Sequence, residues 1–340
     1  MICFCWHGFP QYGARCVAEF VRSTTEEVAV IATRPSVPVK GMDELAGCPV
    51  HWIDLNSDVT IKGILGEIPR VLTVPGWSFP FYNRFRDEVR LDGGRVIAGC
   101  DNDFTFSFKE ILKAIRFRLF LRNKYDGFWV PGKAGRRLMR FYGAPAQLVY
   151  SPSYSADVSV FSDGEPLEAR EKRILFVGQF IDRKNVLMLC EAFLKANVGN
   201  GWTLELCGCG VLRDKLPNHP NIVIHDFVQP EALAAIYRKA RIFCLPSKEE
   251  HWGLVVHEAA LSGCVLLLSN RIGAAADFLE EGVNGYSFSP FSIRQMTDSM
   301  QKTMRMSDCE LITARARSLE LASTISTASF AAAVREFSQQ

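Results

Sequence analysis

Residues 241–288 constrain the fold more tightly than any other stretch of this 340-residue chain. An apolar run, Ile242 to Leu245, ends at Pro246-Ser247 and suits a buried parallel strand. After a polar loop, Gly253 opens a helical pattern with Leu254, Val255, Ala259 and Leu261 apolar. Gly263 stops that helix, and Val265 to Leu268 makes a second buried strand. Strand, loop, helix, strand is a parallel crossover, and its ligand end lies where the first strand meets the helix. Two carboxylates, Glu250 and Glu258, fall there. Backbone N–H groups around Trp252, Gly253 and Leu254 make the positive helix start a ready anion site.

The same alternation runs through the rest of the chain. Strands are expected at Met1 to Cys5, Val28 to Ala32, Val50 to Ile53, Val71 to Val74, Val96 to Ala98 and Gly127 to Val130. Helices are expected at Gly13 to Arg22, Phe108 to Asn123 and Ala134 to Tyr142. Ser151 to Ser162 is Ser/Pro-rich and reads as a linker. Strands then resume at Ile174 to Val177, Leu204 to Cys207 and Ile222 to Ile224. The organisation is a first α/β domain over 1–160, a second over 161–324 and a helical tail over 325–340.

Apolar residues make up 48% and charged residues 22%, with a net charge of +2, so no overall polyanion-binding signature is present and nucleic acid is not an expected partner. Several of the eleven cysteines sit inside apolar runs and read as small buried hydrophobes. The amino-terminal residues lack the basic start and apolar core of a signal peptide, and no run approaches the ~20 apolar residues of a membrane span. A cytoplasmic protein is expected.

The block Pro246, Ser247, Glu250, Trp252, Gly253, Leu254 and Glu258, with Gly282-Val283-Asn284-Gly285 after it, resembles the signature of glycosyltransferase family 4. These are retaining nucleotide-sugar enzymes of the GT-B fold, two Rossmann-like domains facing each other across a cleft. By that resemblance Glu258 would hold the donor's ribose and Glu250 the hydroxyls of its sugar. Glu250 also has a plainer role open to it, as charge stabilisation of a helix start. Gly178 to Asn185 is similar to the family's phosphate loop, placing Lys184 on the leaving diphosphate. Gln179 stands where the family usually has arginine, so either Arg183 substitutes or Lys184 acts more alone. Gly208 and Gly210 match a Gly-x-Gly loop, although a tight turn explains them equally well. Phe227 and Val228 look like the segment that meets the base.

In the first domain Gly13 resembles part of a diphosphate loop. Asp101 is the candidate for a place where relatives carry a histidine, with a plain turn residue as the alternative. Asp157 and Phe161 fit the family's interdomain segment, whose final helix commonly crosses back to the first domain. His7 reads as a packing residue beside Trp6. No metal and no cofactor are expected, because no cluster with metal-ligand spacing surrounds His251 or His257.

From Lys109 to Arg140 there are ten Lys/Arg and two Asp/Glu, interleaved with Ile111, Leu112, Ile115, Phe117, Leu119, Phe120 and Leu121. Such a segment suits an anionic membrane surface or, alternatively, an ordinary crossover helix with its cations in water. The resemblance implies transfer of a sugar, with retention, from a nucleoside-diphosphate donor to a saccharide or lipid-linked acceptor in cell-surface polysaccharide or glycolipid synthesis. Two rival readings are a nucleotide-sugar epimerase of the same fold and a catalytically silent nucleotide-sugar-binding subunit.

Overall fold

The computed structural model describes residues 1–35, 42–102, 108–196 and 201–339. They form two α/β units, Met1–Asp157 with Ile325–Gln340, and Val158–Thr324.

The first unit is built on seven parallel strands: β1 (Ile2–Trp6), β2 (Val28–Ala32), β3 (Val50–Trp52), β4 (Val71–Val74), β5 (Arg95–Gly99), β6 (Gly127–Trp129) and β7 (Val149–Tyr150). Their spatial order is β3-β2-β1-β4-β5-β6-β7. Ile2 lies opposite Val28 on one edge of β1 and opposite Val71 on the other. Helices cover both faces, which is why β2 reads as an unbroken apolar run and is buried throughout. The order reverses at β1 and β4, and the carboxyl ends of those two strands border a crevice.

The second unit repeats the plan with six parallel strands: β8 (Glu171–Val177), β9 (Thr203–Cys207), β10 (Ile222–His225), β11 (Ala240–Leu245), β12 (Val265–Ser269) and β13 (Gly285–Phe288). The order is β10-β9-β8-β11-β12-β13, with the reversal at β8 and β11.

The tail helix Thr327–Gln339 completes the first unit rather than extending the second. Its buried Phe330 sits with ring centroids 4.8 Å from Trp129, and Phe337 lies 5.2 Å from the same indole. Arg70 donates to the Ser338 carbonyl at 2.6 Å while also pairing with Glu26.

Several elements are not named by the sequence pattern, β7, β13 and helix Pro80–Leu91 among them. β7 is two residues long. β13 begins on the last residue of the motif Gly282-Val283-Asn284-Gly285, and Gly285 opens it because an added Cβ would stand 1.8 Å from the Leu266 carbonyl oxygen. Helix Pro80–Leu91 is rich in charge, which masks the inward set Phe81, Tyr82, Phe85 and Val89. The helix expected over Phe108 to Asn123 is α-helical only to Arg116, then widens into a π turn, Phe117–Leu121, and closes with a 3₁₀ turn, Arg122–Lys124.

Candidate functional site

The reversal point of the second sheet gathers charged side chains. After β8 the chain makes one 3₁₀ turn, Asp182–Lys184, and enters helix Val186–Ala196. Between them Asn185 has φ of 59°, a left-handed conformation that Asn tolerates better than most side chains. Its buried amide donates to the carbonyls of Pro246 at 3.2 Å and Pro290 at 2.8 Å. The Lys248 N–H also donates to the Arg183 carbonyl at 2.8 Å. The loop after β8 is thereby fastened to the loop after β11.

That fastening sets Lys184 against Glu250. Lys184 Nζ pairs with Glu250 Oε2. Arg183 Nη1 reaches the same oxygen at 3.3 Å and the Glu249 carbonyl at 2.8 Å. Ser247 Oγ donates to it at 3.2 Å. One carboxylate oxygen therefore accepts from an ammonium, a guanidinium and a hydroxyl. Two cations against one carboxylate leave the cluster net positive, and Arg183 is exposed to whatever approaches.

Helix Leu254–Leu261 starts alongside. Gly253 caps it with φ of 93°, a left-handed conformation, and an added Cβ would lie 3.0 Å from the Glu250 Cγ. The Glu250 N–H donates to the Arg271 carbonyl at 3.0 Å, and the Gly273 N–H to the Glu250 carbonyl at 3.1 Å, so the peptide carrying the carboxylate is held on both sides. A Cβ on Gly273 would stand 2.0 Å from the His251 carbonyl oxygen, which excludes any side chain there.

Glu258 lies further along the helix and is buried. Its Oε2 accepts from the Tyr237 hydroxyl at 3.0 Å. Burial pushes this carboxyl up to about 7, the tyrosine bond pulling the other way. The buried Tyr237 hydroxyl is raised well above its usual range by desolvation and by the carboxylate next to it.

Several expected residues take places of their own. Gly208 and Gly210 are close-approach positions: a Cβ on Gly208 would meet the Gly178 carbonyl oxygen at 1.9 Å, and one on Gly210 the Phe180 carbonyl oxygen at 2.5 Å. Gln179 is exposed in the loop after β8. Phe227 is exposed and Val228 half-buried beyond the end of β10, with Leu254 half-buried at the helix start. Trp252, whose backbone N–H is expected at the anion site, has its side chain enclosed in the core, its ring 5.6 Å from Phe278 and its Nε1 donating to Asp277 at 3.1 Å. Only its backbone is available to a ligand. His257 is fully buried, stacked on Phe278 and bonded to the Ala322 carbonyl.

In the first unit Gly13 is not in a loop. It lies in the first turn of helix Gln11–Arg22, where a Cβ would meet Phe9, Trp6 and Pro10 at 3.2–3.3 Å, so close helix packing explains it. Asp101 is exposed after β5, while its neighbour Asp103 lies outside the described residues. Asp101 lines a cavity of about 270 Å³ at the carboxyl ends of β1, β4, β5 and β6. His7 lines the same cavity and is exposed, in contrast to the packing role expected of it.

Asn185, Tyr237, Ser247 and His7 were assigned no part in a site from sequence. Asn185 carried a readable signal, since it ends the stretch Gly178 to Asn185 just before a helix and Asn tolerates a left-handed conformation better than most side chains. Tyr237 carried none, because its partner is 21 residues away along the chain. Among the described residues no group of three or more His, Cys, Asp or Glu could hold a metal ion.

Residues 160–318 match the model of a family described as glycosyl transferases group 1. The chain is 30% identical over 133 residues to an uncharacterized glycosyltransferase, MJ1607, of Methanocaldococcus jannaschii, a match covering 36% of this chain and 34% of that protein. The matched stretch thus spans about a third of the length of the curated relatives. Anabaena Alr3699/HepE, solved in complex with UDP and glucose, aligns over 100% of this chain and 99% of its own with TM-score 0.74 and 15% identity. The lipopolysaccharide outer core galactosyltransferase WaaB aligns over 100% and 99%, with TM-score 0.70 and 13% identity. These likenesses show the fold, two parallel-sheet Rossmann-like units of the GT-B type, as expected from sequence.

Proposed function

We propose that this protein is a retaining glycosyltransferase that moves a sugar from a nucleoside-diphosphate donor, held by the second unit, to a saccharide or lipid-linked acceptor. The observation that carries this reading is the cluster of Lys184, Arg183, Ser247 and Glu250 at the reversal of β8 and β11, beside the positive start of helix Leu254–Leu261. Breaking a glycosyl–phosphate bond builds negative charge on the leaving diphosphate. Fixed cations and helix N–H groups stabilise that charge in the transition state. Glu250 is ion-paired with the same cations, so a bound diphosphate competes for them and leaves the carboxylate to accept from sugar hydroxyls. Glu258 accepts from the ribose hydroxyls. The positive charge comes from protein groups, so no metal is required by this scheme. The match of residues 160–318 to glycosyl transferases group 1 and the similarity to a structure solved with UDP and glucose support it.

The acceptor end of the reading places the protein on an anionic membrane face. Phe108, Ile111, Leu112, Ile115, Leu119 and Phe120 are all exposed on the segment 108–121, with Phe108 at 74% and Leu119 at 68%. Lys109, Lys113, Arg116 and Arg122, exposed among them, complement anionic headgroups. Among the described residues no helix is long and apolar enough to cross a membrane, so attachment in this scheme is peripheral.

The test is a thermal-shift screen against nucleoside diphosphates, followed by incubation of the matching nucleotide sugars with acceptor glycans and NMR of the product linkage. A raised Tm and a product with the donor's anomeric configuration are expected. Conversion of donor to an epimer without acceptor would replace the reading with an isomerase. Absence of any nucleotide effect would remove it.

A further inference from the structure

Helix Pro230–Lys239 brings Tyr237 beside the start of helix Leu254–Leu261, where its hydroxyl faces two acceptors. One is the Glu258 carboxylate oxygen Oε2 at 3.0 Å, the other the Val255 carbonyl at 3.3 Å. A tyrosine hydroxyl has one proton to donate, so it serves one of the two at a time. The ring is held in place, fully buried, with Phe161 and Phe243 each at 5.7 Å between ring centroids. Glu258 is 8% exposed, and among the described residues neither group has a lysine or arginine partner.

Two arrangements satisfy this geometry. With Glu258 ionised, the Tyr237 hydroxyl donates to Oε2. With Glu258 protonated, the carboxyl O–H donates to the tyrosine oxygen, and the tyrosine O–H turns to the Val255 carbonyl. The protonated arrangement suits the ligand-free protein, because burial disfavours the charge. A ribose reverses that preference, since its hydroxyls are donors and donors favour the ionised carboxylate. The other titratable groups nearby do not compete. Cys207 of β9 and Cys264 before β12 act on Tyr237, their own thiols pushed up by burial to about 12 and about 11. Beyond them Glu205 is paired with Arg173, and Asp163 with Arg170. His257, next to Glu258 in the chain, is stacked on Phe278.

We propose that Tyr237 is a positioning residue for the donor: its hydroxyl passes between Val255 and Glu258, so that the carboxyl holds a proton in the ligand-free protein and releases it to solvent when ribose hydroxyls arrive. Nucleotide binding is then coupled to the loss of one proton, whichever base the nucleotide carries. The Glu258 carboxyl, pushed up to about 7, places that exchange where neutral solutions report it. This inference rests on the transferase reading, since the group that displaces the proton is the ribose of that reaction's donor.

Binding calorimetry across pH on the full chain tests it, with whichever of UDP, GDP and ADP binds and the 2′,3′-dideoxy form of that nucleotide. As pH falls below about 7, wild-type affinity for the ribonucleotide should drop by up to about tenfold per pH unit. Tyr237→Phe keeps the packed ring and removes the hydroxyl that holds the Glu258 carboxyl down, so the drop should begin at a higher pH. The dideoxy form keeps the diphosphate and reports its ionisation alone, so its profile should be the same in both proteins. Glu258→Gln takes up no proton, and its ribonucleotide profile should follow the dideoxy one. NMR titration of the Glu258 carboxyl carbon without nucleotide should show the same upward move in Tyr237→Phe. A ribonucleotide profile unchanged by Tyr237→Phe, an equal shift for the dideoxy form, or a steep drop persisting in Glu258→Gln would overturn the assignment. So would a Glu258 carboxyl that titrates at the same pH with and without the tyrosine hydroxyl. Binding with an unshifted profile defeats only the role of Tyr237, whereas no binding of any nucleotide by wild type at any pH defeats the transferase reading as well.

Discussion

At the residue scale the second-unit site turns on how few groups share one carboxylate oxygen. Lys184→Ala removes the cation closest to Glu250 and, in the proposed reaction, a charge-assisted contact to the leaving diphosphate. Turnover should fall several hundredfold, since one such electrostatic group is typically worth ~3–4 kcal/mol in the transition state. Steady-state kinetics on the nucleotide sugar checks this, and an unchanged kcat/KM would shift the role to Arg183. Glu258 makes a prediction that needs no substrate. Its folded carboxyl titrates near 7 against an ordinary value of 4.5, because burial disfavours the charge. Between those values the folded state binds more protons than the unfolded state. Its contribution is therefore full at acid pH and lost as pH rises through about 7, a cost of about 3 kcal/mol by linkage. Glu258→Gln keeps an acceptor for the Tyr237 hydroxyl and carries no charge. Urea titrations without nucleotide should show the variant more stable than wild type near pH 8, with the gap closing near pH 5. It should also bind nucleoside diphosphate more weakly. A gap of the same size at both pH values would contradict the linkage.

At the element scale, glycines decide where strands and loops can approach. The loops after β8 and β9 meet where Gly208 and Gly210 offer no Cβ, so Gly210→Ala should displace the Phe180 peptide and disturb the loop that carries Lys184. The segment 108–124 acts through what it leaves outside. Glu110 and Phe117 turn inward: Glu110 accepts from the Tyr142 hydroxyl and from Lys113, and Phe117 packs 5.0 Å from Phe128 and 5.3 Å from Tyr142. Arg118 ties the π turn to the carbonyls of Tyr142 and Phe141 at 3.0 and 2.8 Å. The apolar side chains left outside suit shallow insertion, and each basic residue near an anionic surface adds ~1 kcal/mol. Co-sedimentation with anionic vesicles should therefore succeed at low salt and weaken at high salt. It should fail when Ile111, Leu112 and Ile115 are changed to Ser. Wild-type protein remaining in the supernatant at low salt would leave the segment an ordinary crossover and favour a soluble acceptor.

At the scale of the whole molecule the first unit is discontinuous in sequence, its core closed by a helix from the far end of the chain. Phe330, Val334 and Phe337 are completely buried there. Ending the chain after Ser326 would forfeit roughly 5–9 kcal/mol of apolar burial, comparable to the entire stability of a typical domain. Calorimetry should show the first unit's transition lost or sharply lowered, while the second unit keeps its transition and any stabilisation by nucleoside diphosphate. Cooperative loss of both would show that the units do not unfold separately. Activity of the full chain should persist in EDTA, because the proposed scheme draws its positive charge from Lys184, Arg183 and the helix start. Inactivation reversed by manganese or magnesium would contradict that scheme.

The sequence by itself determined the parallel crossovers, the division near the Ser/Pro-rich segment and the frame from Pro246 to Glu258. Each is written in local pattern: period, punctuation by Gly and Pro, and charged residues at a strand end. It missed β13 and helix Pro80–Leu91, whose patterns are short or overlaid by charge. It also read Gly13 and His7 by motif or by type, where surroundings decide. Tertiary structure alone decided that Asn185 clamps two loops, that Tyr237 meets Glu258, and that His7 and Asp101 line one aromatic cavity. The physical reason lies in the order of strands across the two sheets. That order is chosen by the packing of whole faces, and it determines which loop ends become neighbours and so which side chains share a site.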